Sequence, residues 1–178
     1  MVPCSEPLRT VILPAKVLRL PDLGDLGGES VRVTSTPSLG GTGQLFQVSL
    51  DQQGRGNLLA IWVYGHPYSG WREIGREEAE LTEREYRQLA ARVDAALAES
   101  DPPFDGVICT DGSGTRTERY RDRHIENYSG TMCTGFGSGT AYNLVATFAC
   151  RQIGREAALA MVRGYCGRWL RMARREGW

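Results

Sequence analysis

The feature that most constrains this chain is an alternation of apolar and polar residues on either side of a short polar segment. It occupies residues 44–65, with the sequence QLFQVSLDQQGRGNLLAIWVYG. Phe46, Val48 and Leu50 share one face of the first arm, and residues 58–64 alternate in the same manner. Successive side chains of a strand point to opposite faces, and glycine supplies the positive φ angles of hairpin loops. The segment therefore predicts an antiparallel β-hairpin.

An amphipathic helix is predicted further along the chain, in residues 81–98 (LTEREYRQLAARVDAALA). Thr82 suits the N-cap position, and Glu85, three residues later, completes a capping box. Apolar residues then recur with the three- and four-residue spacing of one buried stripe. These residues are Tyr86, Leu89, Val93 and Leu97. The carboxylates beside Thr82 therefore have a structural role, and we do not assign them to catalysis.

A second hairpin is predicted in residues 106–133, GVICTDGSGTRTERYRDRHIENYSGTMC. The alternation puts Thr115, Thr117 and Arg119 on one face and polar residues on the other. Because neither face is apolar, we expect this ribbon to be exposed on at least one side.

The carboxyl-terminal part of the chain is predicted to be helical. Residues 142–153 form one apolar segment, Gly154 interrupts it, and a second helix extends from Arg155 to about Arg175. On a helical wheel the apolar side chains of the second helix collect on one side. Its opposite, basic face consists of Arg163, Arg168, Arg171, Arg174 and Arg175. This is the pattern of an amphipathic surface helix.

Together these elements predict an α+β fold. We expect an antiparallel sheet built from two hairpins, one capped helix between them and a helical C-terminal segment, with one face of the sheet buried against the helices. A length of 178 residues suits a single domain covering residues 1–178. Within it, residues 1–8 are predicted to be a flexible tether, and residues 154–178 the amphipathic helix.

The composition favours a soluble globular protein. Hydrophobic residues make up 41% and charged residues 24% of the chain, and the formal net charge is zero. A neutral chain has no global field toward nucleic acid, and nucleic acid is not a favoured partner. No transmembrane segment is predicted. The first residues, MVPCSEPLRT, contain no apolar signal-peptide core, so the protein is either cytoplasmic or has lost a signal peptide.

The cysteines bear on the compartment. There are five, at positions 4, 109, 133, 150 and 166, with no C-x-x-C pair and only two histidines, so no metal site is predicted. Cys109 and Cys133 flank the second hairpin almost symmetrically about Arg121, and Cys150 and Cys166 flank Gly154. Two disulfides would indicate a periplasmic or secreted protein. Alternatively, all five are reduced core residues of a cytoplasmic protein.

The leading functional hypothesis is a non-enzymatic secreted or periplasmic binding or accessory protein. It depends on the segment WVYGHPYSGW, in which aromatic and polar residues are concentrated. The candidate binding residues are Trp62, Tyr64, His66, Tyr68 and Trp71. Such a composition is typical of surfaces that recognise a protein, a peptide or a glycan. Alternatively, some of these aromatic residues close the hydrophobic core.

Two other classes of function remain open. A small hydrolase or anion-binding enzyme would use His124, Asp111 and Ser138, the last of which lies in the glycine-rich loop TGFGSGTA. That loop matches no phosphate-binding motif, and no cofactor is predicted. An intracellular interaction protein would instead use the arginine-rich helix face, which could also make peripheral membrane contact.

Three segments resemble parts of uncharacterised small bacterial periplasmic and envelope proteins. These are LFQVSLDQQGRG, LTEREYRQLAARVDAAL and CTDGSGTRTERY, which match a hairpin, a capped helix and a cysteine-bearing hairpin in the same order. The resemblance implies an envelope location rather than an activity, and it supplies no catalytic residue.

Overall fold

The computed structural model describes residues 18–37, 39–66, 69–99, 113–131, 137–154, 157 and 159–175. The strands are β1 (Glu29–Pro37), β2 (Gly41–Leu50), β3 (Gly56–His66), β4 (Gly70–Leu81), β5 (Ser113–Arg121) and β6 (His124–Thr131). The helices are α1 (Glu83–Ala98), α2 (Gly137–Ile153) and α3 (Ala160–Arg175), and a short 3₁₀-helix (Leu23–Leu26) precedes β1. The predicted tether, residues 1–8, lies outside the described residues.

The six strands form one antiparallel sheet in the order β4-β3-β2-β1-β5-β6. The first predicted hairpin is β2–β3, in which Phe46 faces Ala60 and Val48 faces Leu58. Its turn is closed by Asp51, whose carboxylate accepts hydrogen bonds from the backbone N–H groups of Gln53 and Arg55. The second hairpin is β5–β6. The predicted α+β architecture is therefore confirmed.

Strand β4 was not predicted from the sequence. It pairs with β3 along its whole length, with a bulge opposite Trp62 and Val63. Its sequence, GWREIGREEAEL, is rich in charge and has no regular apolar alternation. Because β4 is an edge strand, charged side chains can extend into solvent, where they also discourage pairing with another molecule.

The helices pack on one face of the sheet. The capping box of α1 is present, with the Glu85 N–H donating to Thr82 Oγ1 and the Thr82 N–H donating to Glu85 Oε2. The largest core cluster joins sheet residues of β1, β2 and β3 to apolar side chains of all three helices. Gly75 of β4 permits close approach of the segment before α3, since a Cβ there would lie 2.9 Å from Leu159 Cδ1.

The other face of the sheet is also apolar at its centre. Leu45, Leu59, Ile61 and Val63 are buried there in a second cluster with Leu18. Strand β3 is consequently apolar on both faces, as expected for a central strand covered on both sides. The expectation that only one face of the sheet is buried was therefore incomplete.

The β5–β6 ribbon is buried on the face that carries Thr115, Thr117 and Arg119. This face contains no apolar residue, yet the first turn of α2 packs on it, where Ser138 Oγ lies 3.1 Å from Thr117 Oγ1. The opposite face is partly exposed, as Arg116 and its neighbours on β5 show. Small hydroxyl side chains allow a helix to approach closely, and here Thr117 and Ser138 hydrogen bond to each other, whereas Thr115 Oγ1 is buried with no partner among the described residues.

Arg119 joins three elements of the fold although its guanidinium group is almost fully buried. It donates to both carboxylate oxygens of Asp94 on α1, at 2.9 and 3.3 Å, and to Glu29 Oε2 at the start of β1, at 3.1 Å. Further hydrogen bonds reach the Ser30 carbonyl and the Tyr86 hydroxyl. These partners compensate the buried positive charge, because a buried charge without partners would carry a large desolvation cost.

We predict that Arg119→Ala lowers the free energy of unfolding by about 1.5–3 kcal/mol, because it removes the buried hydrogen bonds that the guanidinium group donates to Asp94 and Glu29. Chemical denaturation measures this loss. The matched control is Arg55→Ala, which removes a solvent-exposed ion pair with Asp51 and is expected to cost less than about 1 kcal/mol. Equal effects of the two substitutions would contradict the assignment.

Candidate functional site

The five aromatic and histidine residues proposed from the sequence do not form one surface. Trp62 is fully buried in the core, and Tyr68 lies outside the described residues. Trp71 points to the opposite face of the sheet from Trp62, where it packs against the cluster around Leu18. The segment is also not a loop, because β3 continues to His66 and β4 begins at Gly70.

Trp62 instead belongs to an aromatic cluster through which α3 packs against the sheet. Its ring contacts Phe46 and Tyr165 edge to face, at centroid distances of 5.8 and 5.9 Å. Tyr165 stacks on Trp169 at 6.0 Å, and Trp169 meets Tyr142 edge to face. Aromatic pairs in these geometries add stability beyond their buried area. The prediction that Trp62 contacts a ligand is therefore wrong, because the alternative core role applies.

Two of the remaining residues are accessible. Tyr64 is 51% exposed, and the guanidinium group of Arg72 lies 5.9 Å from its ring centroid. His66 is half-buried at the end of β3, beside Gly40 of the β1–β2 turn. This is a small patch, and it lacks the two tryptophans on which the sequence prediction depended.

The proposed catalytic residues are not brought together. Ser138 is buried, and its Cβ lies 3.4 Å from the position of a Cβ built on Gly130 of β6. His124 is six residues away at the other end of the same strand, about 20 Å along an extended chain. A nucleophile and its base need a separation of about 3 Å. Ser138 and His124 therefore cannot act as a pair, and Asp111 lies outside the described residues.

One of the two predicted cysteine pairs is present. Cys150 of α2 and Cys166 of α3 lie at disulfide distance, with Cα atoms 5.0 Å apart, and both are buried. They join the two helices across the turn at Gly154, as predicted. Cys109 and Cys133 lie outside the described residues. The turn of their hairpin is at Asp122 and Arg123, within the polar segment RDRH, directly after Arg121.

The basic face of α3 is exposed along the whole helix. All five predicted arginines are exposed: Arg163, Arg168, Arg171, Arg174 and Arg175. Helix α3 contains no acidic residue. Within the described part of the chain, Arg168, Arg171, Arg174 and Arg175 form no ion pair. We call these four side chains together the α3 guanidinium group. Helix α3 begins at Ala160, later than the sequence suggested.

Many arginines in the other elements of the described fold pair with a carboxylate. Seven of them lie within 4.0 Å of a carboxylate: Arg32, Arg55, Arg76, Arg87, Arg116, Arg119 and Arg121. The hydrogen-bonded carboxylate of Asp51 illustrates the effect, since its backbone and side-chain bonds with Arg55 lower its pKa. The α3 guanidinium group has no such counter-charges among the described residues, which leaves its positive field available to an external anion.

A shallow concavity of about 310 Å³ lies within this face, lined by Arg168, Arg171, Met172 and Arg175. The arginine side chains extend back over two glycines. A Cβ on Gly167 would meet Arg171 Nη1 at 3.6 Å. The glycines, which weaken a helix, therefore leave room for the guanidinium groups close to the helix backbone.

A second concavity lies between α1 and α2, with a volume of about 530 Å³. Leu89, Leu144 and Phe148 form its apolar side, and Arg92 lies at its rim. Among the described residues that line it, the only carboxylate is Glu85, which already accepts hydrogen bonds in the α1 cap. These interactions, the backbone bond from Thr82 above all, lower the pKa of Glu85. The cleft therefore offers no general acid near neutral pH.

Among the residues that the structure describes, no three His, Cys, Asp or Glu side chains are arranged to hold a metal ion. None of the described helices is long and apolar enough to span a bilayer. No protein-family model matches the chain, and no curated protein matches it.

Two contributions to the α3 surface were missed from the sequence. Met161 and Met172 are about 40% exposed and border the arginines. Their signal was present in the spacing, since residues 161, 164, 168, 172 and 175 recur at the three- and four-residue intervals of one helix stripe.

We predict that the packing of α3 against the rest of the fold becomes less stable at alkaline pH. Burial raises the pKa of Tyr165 to about 12 and that of Tyr142 well above its usual value. Because each folded pKa exceeds the unfolded value of about 10, the stabilisation is complete below pH 10 and is lost as the pH rises toward 12. Denaturation at several pH values should show unfolding free energy falling across this window.

The control for this prediction is Tyr165→Phe, which removes the ionisable group and keeps the ring. We expect a smaller decrease of stability between pH 10 and 12 in this variant. An identical pH profile in the variant and the unmodified protein would show that Tyr165 ionises without hindrance in the folded state.

Proposed function

We propose that the protein is a non-enzymatic binding protein of the periplasm or the extracellular space, and that it engages an anionic partner through the basic face of α3. The proposal retains the class of function favoured by the sequence and changes the site. The aromatic segment of residues 62–71 is replaced because Trp62 is buried and Trp71 faces the other side of the sheet.

The observation that carries the proposal is that no described carboxylate forms an ion pair with the α3 guanidinium group. Arg168, Arg171 and Arg175 are exposed on one stripe of the helix, and no described carboxylate lies within 4.0 Å of them. Arginine remains charged at all physiological pH values, and its planar fork binds carboxylate, sulfate or phosphate oxygens in pairs. A partner that presents closely spaced anionic groups fits this surface.

A net charge of zero does not oppose this interaction. The carboxylates that balance the arginines are concentrated elsewhere, as in β4 and the first turn of α1, where Glu78, Glu80 and Glu83 are exposed. Electrostatic interactions between exposed charges are screened over about 10 Å at ordinary ionic strength. The local field at α3 is therefore decided by its own arginines.

The Cys150–Cys166 pair supports an oxidising compartment. It lies at disulfide distance and, when oxidised, connects α3 covalently to α2. Such a bond would fix the position of the basic helix. Disulfides persist in secreted and periplasmic proteins and are rare in the cytoplasm. The same basic face would serve an intracellular interaction protein, so the redox state of these cysteines distinguishes the two locations.

We predict that Arg168→Gln/Arg171→Gln/Arg175→Gln elutes from a heparin column at clearly lower salt than the unmodified protein. The substitutions remove three of the unpaired charges, and each neutralised charge decreases the number of counterions released on binding. All three side chains are exposed, so stability should change by less than about 0.5 kcal/mol.

The matched control is Arg84→Gln/Arg92→Gln/Arg123→Gln, which removes the same number of exposed arginines outside α3. It should elute close to the unmodified protein. Equal shifts for the two triple variants would mean that net charge rather than α3 determines retention, and the proposal would fail.

We also predict that Cys150 and Cys166 are oxidised in protein isolated from its native compartment. Denaturation with an alkylating agent and no reductant should leave both thiols unmodified in peptide mass spectrometry. Prior reduction should expose both to alkylation. Alkylation of Cys150 and Cys166 without reductant would contradict a secreted or periplasmic location.

A further inference from the structure

Building on the proposed function, we propose that the anionic partner of α3 is the headgroup layer of a membrane that contains anionic phospholipid. The methionine that accompanies the arginines suggests this choice. Met172 is 40% exposed and lines the concavity together with Arg168, Arg171 and Arg175. Met161 is also partly exposed, but its methyl group lies against β4, 3.4 Å from a Cβ built on Gly75.

Charged and apolar side chains on one stripe match the two layers of a membrane interface. Guanidinium groups bind phosphates at the level of the headgroups, while a flexible thioether side chain such as that of Met172 reaches the boundary of the acyl chains. The concavity of Arg168, Arg171, Met172 and Arg175 contains both kinds of group.

The shape of α3 also suits a planar partner. The helix has 16 residues, which corresponds to a length of about 24 Å. Gly164 and Gly167 have no side chains, and Arg168 and Arg171 extend back over them, with Nη1 atoms 3.9 and 3.6 Å from the added Cβ positions. The arginine side chains therefore project little beyond the helix, and their charges lie close to one line along it.

A nucleic acid fits these residues less well. Single-stranded ligands require exposed aromatic rings for stacking, whereas Tyr165 and Trp169 of α3 stack on each other and face the core. Domains that bind duplexes are strongly basic overall, and this chain has a pI of about 6.7. Contact with phosphates of a bilayer needs neither property.

An acidic protein surface is also less well matched. Protein interfaces obtain most of their binding energy from aromatic and arginine anchors in desolvated pockets. The aromatic residues of α3 are engaged inside the fold, since Trp169 Nε1 donates to Thr147 Oγ1 of α2. The exposed groups that remain are arginines and methionines.

Co-sedimentation with vesicles tests this inference on the full-length protein. The vesicles contain either phosphatidylcholine alone or phosphatidylcholine mixed with phosphatidylglycerol. We expect binding to the mixed vesicles only, with an affinity that falls as salt rises. The triple variant Arg168→Gln/Arg171→Gln/Arg175→Gln should lose about 100-fold, since each basic residue at an anionic surface contributes about fivefold.

The variant Met172→Ser separates the membrane from other polyanions. It should bind the mixed vesicles about fivefold more weakly, because it removes an apolar group that enters the interface, and should elute from heparin like the unmodified protein. The control Leu39→Ser/Ile125→Ser removes two exposed apolar side chains outside α3 and should leave vesicle binding unchanged. Circular dichroism confirms that each variant is folded.

The outcomes separate the two proposals. Absence of vesicle binding, or binding that the methionine variant does not weaken, would overturn the membrane inference. If the arginine variant then still loses heparin binding, the proposed function survives with a different anionic partner, such as a nucleic acid or an acidic protein. If the arginine variant retained both heparin binding and vesicle binding, both proposals would be overturned.

Discussion

The buried guanidinium group of Arg119 is the interaction on which the arrangement of this fold depends. A charge in that position is stable only because Asp94, Glu29, Tyr86 and the Ser30 carbonyl converge on it. These partners belong to α1 and β1, so the network connects α1 to the paired strands β1 and β5. Helix α2 then lies beside α1 and over the small hydroxyl residues of β5.

The position of α3 follows from that of α2. The aromatic contacts of Tyr142, Tyr165 and Trp169, together with the Cys150–Cys166 pair, fix α3 through its apolar side. The exposed arginines of α3 are consequently directed to solvent. The basic surface therefore follows from the packing: the aromatic side chains of α3 face the core, and Arg168, Arg171, Arg174 and Arg175 form no ion pair with a described carboxylate.

Much of this fold could be predicted from the sequence because its signals are local. The alternation of residues 44–65 and the capping box at Thr82 depend on near neighbours, and both were confirmed. Strand β4 was missed because an edge strand needs little apolar content. The burial of Trp62 and Thr117 depends on what packs over them, which alternation alone does not specify. The basic face was visible on a helical wheel, whereas the absence of counter-charges became evident only when distant carboxylates were located.

The most direct measurement of the central claim is NMR of the folded protein during titration with a soluble short-chain phosphatidylglycerol below its micelle concentration. The side-chain Nε–H signals of Arg168, Arg171 and Arg175 and the backbone signals of α3 should shift together. The Arg119 signal should remain in place, because its donors are occupied inside the fold. Shifts confined to the Tyr64–Arg72 patch or to the cleft between α1 and α2, or no shifts at all, would contradict the account.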